Sequence, residues 1–150
     1  MEVHMLRLPA FLMVFFILSG CSDRLLGRSD EAAPVWASKV RFEKDGRRFF
    51  TGRHDGSHYL EWGRNEARLA ALRQVATELG LELTEPLVTV HLTAGSEDYV
   101  GVKMLDAEGE PVLIHHYREE QEYHEHWRRK GKKLYDVVVL ISFPLESLEK

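Results

Sequence analysis

The sequence predicts an α+β domain, with one main helix packed on a mostly antiparallel β-sheet. Three features carry that expectation. Residues 57–79 place apolar side chains at helical spacing and stop at Gly80. Five or six stretches rich in β-branched and aromatic residues flank this helix. The run Val137-Val138-Val139-Leu140-Ile141 is apolar on both faces, which suits a strand covered on both sides in the middle of a sheet.

The chain opens on an apolar run, Phe11 to Leu18, closed by Ser19-Gly20-Cys21. A short apolar stretch ending in small residues is the pattern of a secretory signal peptide. A transmembrane span needs about 20 apolar residues, and this run is about half that. The charged flank is weak, because Arg7 is its only basic side chain and Glu2 opposes it. Leu18-Ser19-Gly20-Cys21 looks like a bacterial lipobox, at which the cysteine thiol takes fatty acyl chains of the palmitate kind and the preceding peptide is removed. Residues 1–20 are therefore expected to be a lipoprotein signal peptide, with Cys21 the lipidation site. In a Gram-negative cell, Ser22 in place of aspartate after the cysteine favours the outer membrane, facing the periplasm. Each buried methylene of a lipid contributes about 0.8 kcal/mol, and stable anchoring takes more than one chain; a multiply acylated Cys21 meets that need without a membrane-spanning helix. Plain secretion, or a signal anchor, is the alternative.

Residues 21–34 are polar and contain Gly27, Ser29 and Asp30 before Pro34, which suggests a flexible tether. The domain is expected over 35–150. Val40 and Phe42 alternate with charged residues, Asp45-Gly46 supplies a hairpin turn, and Arg47 to Thr51 resumes extended character. Gly52 and Gly56 are expected to bracket a loop. The helix follows over about 57–79, capped by Ser57 or Asp55, with Glu61 in its first turn, where it suits the positive end of the helix dipole. Trp62, Leu69, Leu72, Ala76 and Leu79 would form its buried face, with Arg64, Asn65, Arg68 and Glu78 turned elsewhere. Gly80 is a suitable C-terminal stop. Leu87 to Leu92, Tyr99 to Leu105 and Val112 to Ile114 are further strands, the last two joined by a turn over 106–110. The basic run Arg128 to Lys133, at the end of a charged stretch that begins at Arg118, is expected to be a polar loop before the final strand, which Pro144 ends.

Without residues 1–20 the chain has 130 residues, enough for one core. The full chain has a net charge of −4, from 20 Lys and Arg against 24 Asp and Glu, and loss of Arg7 and Glu2 leaves it unchanged, so composition offers no case for a nucleic-acid partner. The single cysteine can form no disulfide within the chain.

These landmarks in order resemble the LPP-twenty family of bacterial lipoproteins, which includes FlgP-like flagellar lipoproteins. The matching pieces are the lipobox at Cys21, Pro34-Val35-Trp36, Phe49-Phe50-Thr51-Gly52, the alanine-rich Glu66-Ala67-Arg68-Leu69-Ala70-Ala71, and Tyr135-Asp136-Val137-Val138-Val139-Leu140 running to Pro144. The likeness is weakest over Leu81 to Lys133. Members of the family are envelope lipoproteins without a known catalytic centre, and some help to build outer-membrane structures around the flagellar motor. The resemblance implies a scaffold or assembly role and carries over no active-site residues.

Among chemical candidates, His115-His116 and His124-Glu125-His126 lie near one another in sequence, and imidazole is a common metal ligand. On a strand His115 and His116 point to opposite faces, whereas His124 and His126 share one; a solvated charged segment is the competing reading. Trp127, Arg128, Arg129 and Lys130 open a basic run that suits a partner surface or anionic head groups. There is no Gly-x-Ser-x-Gly elbow and no glycine-rich phosphate loop. The expectation is a non-enzymatic, cofactor-free envelope lipoprotein that binds the membrane through Cys21 and binds other envelope proteins, or copies of itself, through its domain. The alternatives are a metal-binding protein or metal-dependent enzyme using the four histidines, and a domain that holds a lipid or cell-wall ligand in an apolar pocket.

Overall fold

The computed structural model describes residues 23–149. Seven strands and one α-helix make up the α+β fold. The strands are β1 (Arg24–Arg28), β2 (Arg41–Lys44), β3 (Arg47–Ser57), β4 (Glu82–Ala94), β5 (Glu97–Leu105), β6 (Pro111–Arg129) and β7 (Lys132–Pro144), with α1 (Leu60–Leu79) between β3 and β4. All pairings are antiparallel, in the order β2-β3-β7-β6-β5-β4, and β1 adds to β6.

The apolar run expected in mid-sheet is there: β7 lies between β3 and β6, and Val137, Val139, Ile141 and Phe143 are fully buried. Their alternation follows from the strand's two-residue period. The odd-numbered residues face α1, meeting Leu72, Val75, Leu79 and Phe50; Val102, Met104 and Ile114 extend this core from β5 and β6. The other face is thinner. There Val138 packs with Tyr123 and with Ala37 of a single 3-10 turn (Val35–Ser38), and Trp36 lies alongside. The Asp45-Gly46 hairpin forms as expected, with both residues at positive φ, the backbone that a two-residue turn demands.

Five local expectations change. First, α1 starts at Leu60, with Tyr59 at the cap position and no side-chain cap; the Ser57 hydroxyl instead donates to the Tyr59 carbonyl at 2.7 Å. Its far end stops at Gly80 (φ 65°), as expected. Second, the buried face of α1 is the expected one only in part: Leu72, Ala76 and Leu79 are buried and Leu69 half-buried, but Gly63, Ala67, Ala71 and Val75 join them, while Trp62 stands 56% exposed. The reason lies in β3, where a Cβ on Gly52 would fall 1.9 Å from the Ala67 carbonyl oxygen. Helix and strand backbones nearly touch there, so only small residues fit between them. Third, Gly52 to Gly56 is strand and not loop. β3 runs through to Ser57, and the register shift between His54 and Ser57 takes up Gly56, whose N–H donates to Asp136 at 2.9 Å.

Fourth, the expected tether contains β1, paired with the far end of β6. Fifth, the charged stretch from Arg118 to Lys133 is extended strand and a tight turn: β6 continues to Arg129, Lys130-Gly131 turns at positive φ, and β7 begins at Lys132. β6 pairs with β5 over its first part and with β7 and β1 over its second. The change of partner falls between Tyr117 and Arg118, just after a register shift that takes up His116, whose φ is +57°.

Candidate functional site

In the second half of β6 most of the charged side chains meet a partner across the sheet or on α1. On the helix side, Glu122 lies opposite Val139 and binds Arg64, whose other contact is Glu61. One helical turn on, Arg68 binds Glu119 at 2.7 Å. Burial opposes ionisation of Glu122, but the hydrogen bonds and charges of Arg64 and His124 outweigh it and hold the carboxyl below its ordinary range. Glu122 in turn holds Arg64 protonated, with the guanidinium pKa raised despite burial. On the opposite side Tyr123 donates to Glu125 at 2.7 Å, Trp127 donates to the same carboxylate at 3.0 Å, and Arg28 of β1 lies 3.3 Å from it. Burial and Glu125 push the Tyr123 phenol up to about 12.

The partner-surface residues divide. Arg129 makes a two-toothed contact with Asp136, at 2.8 and 2.5 Å, approaches Asp23 at 3.4 Å and lies over the Trp127 ring. Arg129 and Trp127 are thus occupied within the domain. Arg128 and Lys130 are exposed, together with Lys132 and Lys133 beyond the turn. Arg24 joins them, because β1 places it opposite Arg128, which is itself opposite Lys133. Sequence reading missed Arg24 in this group, since the pairing of β1 with β6 spans about a hundred residues and leaves no local signal.

The histidines do not converge. His115 and His116 flank Tyr99 near the bend of β6, with ring centroids 5.7 and 4.2 Å from its ring. His124 and His126 lie on the other half of the strand, where both approach Tyr135, and His126 stacks on it at 4.5 Å. Among the described residues no three His, Cys, Asp or Glu side chains gather as metal ligands. The metal alternative therefore has no ligand geometry behind it in this part of the chain.

Two clefts flank α1. One, of about 720 Å³, lies over Val40 and Phe50 and is rimmed by Arg73, Gln74 and the Arg41–Glu78 ion pair. Its volume falls in the range of small-ligand sites, but it opens widely to solvent and most of its lining residues are polar or charged, with Val40 and Phe50 the apolar members. The other, of about 440 Å³, lies between α1 and β4, lined by Leu69, Leu87 and Tyr117 with the Arg68–Glu119 pair at its side. Burial, with Glu119 beside it, raises the Tyr117 phenol far above its ordinary value, so Tyr117 stays protonated there.

Cys21 lies outside the described residues. Among the described residues, no helix is long and apolar enough to cross a membrane. No family model, curated protein or solved structure matches the chain.

Proposed function

We propose that this protein is a bacterial envelope lipoprotein, held through acylated Cys21 in the outer membrane and facing the periplasm, whose domain has a structural or assembly role. The observation that carries this reading is the Leu18-Ser19-Gly20-Cys21 box closing a short apolar run. Two further features support it. β1 begins three residues after Cys21, so an anchored chain leads almost directly into the sheet. At the far edge β4 runs for 13 residues with no strand beyond it among the described residues, and an unpaired strand edge is a natural docking strip for another chain. Its partner would be another envelope protein or a second copy of the chain.

The test is fractionation of cells that express wild type or Cys21→Ala, followed by photo-crosslinking from residues 88 and 91 on the β4 edge. Wild type in the outer-membrane fraction, with the variant released or unprocessed, is the expected result. A discrete crosslinked partner from β4 would identify the assembly. Identical behaviour of the two forms would remove the anchor.

A further inference from the structure

The β6–β7 hairpin projects beyond β3, whose last partner on β7 is Tyr135. On this projection Arg24, Arg128 and Lys133 stand directly opposite one another across three strands, and Lys130 and Lys132 complete the turn. Like charges placed opposite each other destabilise a sheet, and the carboxylates nearby do not offset these. Asp23 and Asp136 share Arg129, Glu61 and Glu122 share Arg64, Glu125 is engaged by Arg28 and Asp55 by Arg53, which leaves the five cations in excess over the two carboxylates not matched one to one. Among the described residues none of the five exposed cations pairs with a carboxylate. The same end of the molecule carries two exposed aromatics, Tyr59 at 72% and Trp62 at 56%, because α1 starts where β3 ends. Basic side chains beside exposed Tyr and Trp are the composition of a surface that sits at lipid head groups. The chain ahead of β1 also leaves at this end. Arg24 is the third residue after Cys21, and three extended residues reach about 10 Å.

We infer that the hairpin end of the sheet, through Arg24, Arg128, Lys130, Lys132 and Lys133, is a docking face for the anionic phosphate head groups of the membrane. The domain would then stand on the bilayer with its strands upright and the β2–β3 turn pointing away from it. The inference rests on the anchor reading for the membrane that is close by, and adds an electrostatic contact and an orientation. Each basic side chain near an anionic surface strengthens binding about fivefold, and the effect fades beyond a Debye length, about 8 Å at physiological salt.

The full chain, purified from membranes, is reconstituted into vesicles of phosphatidylcholine alone or with phosphatidylglycerol. A water-soluble amine-acylating reagent is added, and modification of each lysine is read by mass spectrometry. Lys44, at the β2–β3 turn on the opposite end of the sheet, is the internal standard. The expected result is at least fivefold slower modification of Lys130, Lys132 and Lys133 relative to Lys44 in phosphatidylglycerol vesicles. That slowing should vanish in 0.5 M salt, in phosphatidylcholine alone, and for Lys130 and Lys132 in the double variant Arg128→Glu/Lys133→Glu. Equal rates at both ends with phosphatidylglycerol overturn the proposal, as does equal slowing in both lipids. Slowing by inorganic phosphate without vesicles would make this an anion site and would also overturn it. The same digest reports the mass of the Cys21 peptide. An acylated Cys21 with equal lysine rates sinks the docking face alone, and an unmodified Cys21 with slowed lysines sinks the anchor alone.

Discussion

At Gly52 the backbones of β3 and α1 approach so closely that any side chain would enter the helix, since its Cβ would also lie 2.5 Å from the Ala71 amide nitrogen. Gly52→Ala is expected to cost about 3 kcal/mol or more, the upper end of overpacking effects, because the obstacle is backbone and cannot rotate away. Chemical denaturation against wild type measures it. Glu122 is the second position with a direct readout. Its folded-state pKa lies below the ordinary 4.5, so its stabilising contribution is complete above that pH and is lost as pH falls through the lower folded value. Glu122→Gln should lower stability at neutral pH by about 1–2 kcal/mol, the range of a partly exposed charged hydrogen bond. It should also flatten the decline in stability below about pH 4.5, which a urea titration at several pH values would record. Neither position shows its role in the sequence. Gly52 was expected to open a loop, and Arg64, the partner of Glu122, to face away from the core.

Among the elements, those governed by neighbours in sequence were legible: the Asp45-Gly46 hairpin, the stop at Gly80 and the apolar β7. β6 was not. Its run of Glu, Arg and His side chains is soluble by itself and becomes a strand only because Arg64 and Arg68, more than fifty residues earlier, face it from α1. β1 was hidden for the same reason, as it pairs with nothing near it in sequence. This division sets an expectation for amide exchange. Protection should be greatest in β7, between two strands and under the helix. It should be least in β1, which is five residues long and pairs on one side only. Hydrogen–deuterium exchange followed by mass spectrometry resolves these segments, and a β1 as slow as β7 would mean that its far edge is covered.

In the whole molecule the core lies between α1 and one face of the sheet, while the other face rests on the Val35–Ser38 turn and on ion pairs. Removing bulk from the helix side should therefore weaken the entire fold. Ile141→Ala is expected to cost about 2–5 kcal/mol, the range for emptying a fully buried aliphatic site, and to lower the single unfolding transition in a thermal scan without splitting it. The α+β class was legible in the sequence because it depends on how many helices and strands there are and on how apolar β7 is. On α1, Leu72, Ala76 and Leu79 of the buried face were legible too, whereas Ala67 and Ala71 were not, because their place is set by the backbone contact at Gly52.

The antiparallel join of β1 to β6 also has a mechanical side. Tension applied at Arg24 along the strand axis would slide β1 lengthwise past β6. Arg24, Leu25, Gly27 and Arg28 then resist in shear, all four pairs loaded together, where a pull from the side would peel them apart singly. A domain tugged by a neighbour while fixed at its N-terminus would bear that load on the short strand, and β6 would carry it as one continuous beam from the tether to the β4–β5 wing.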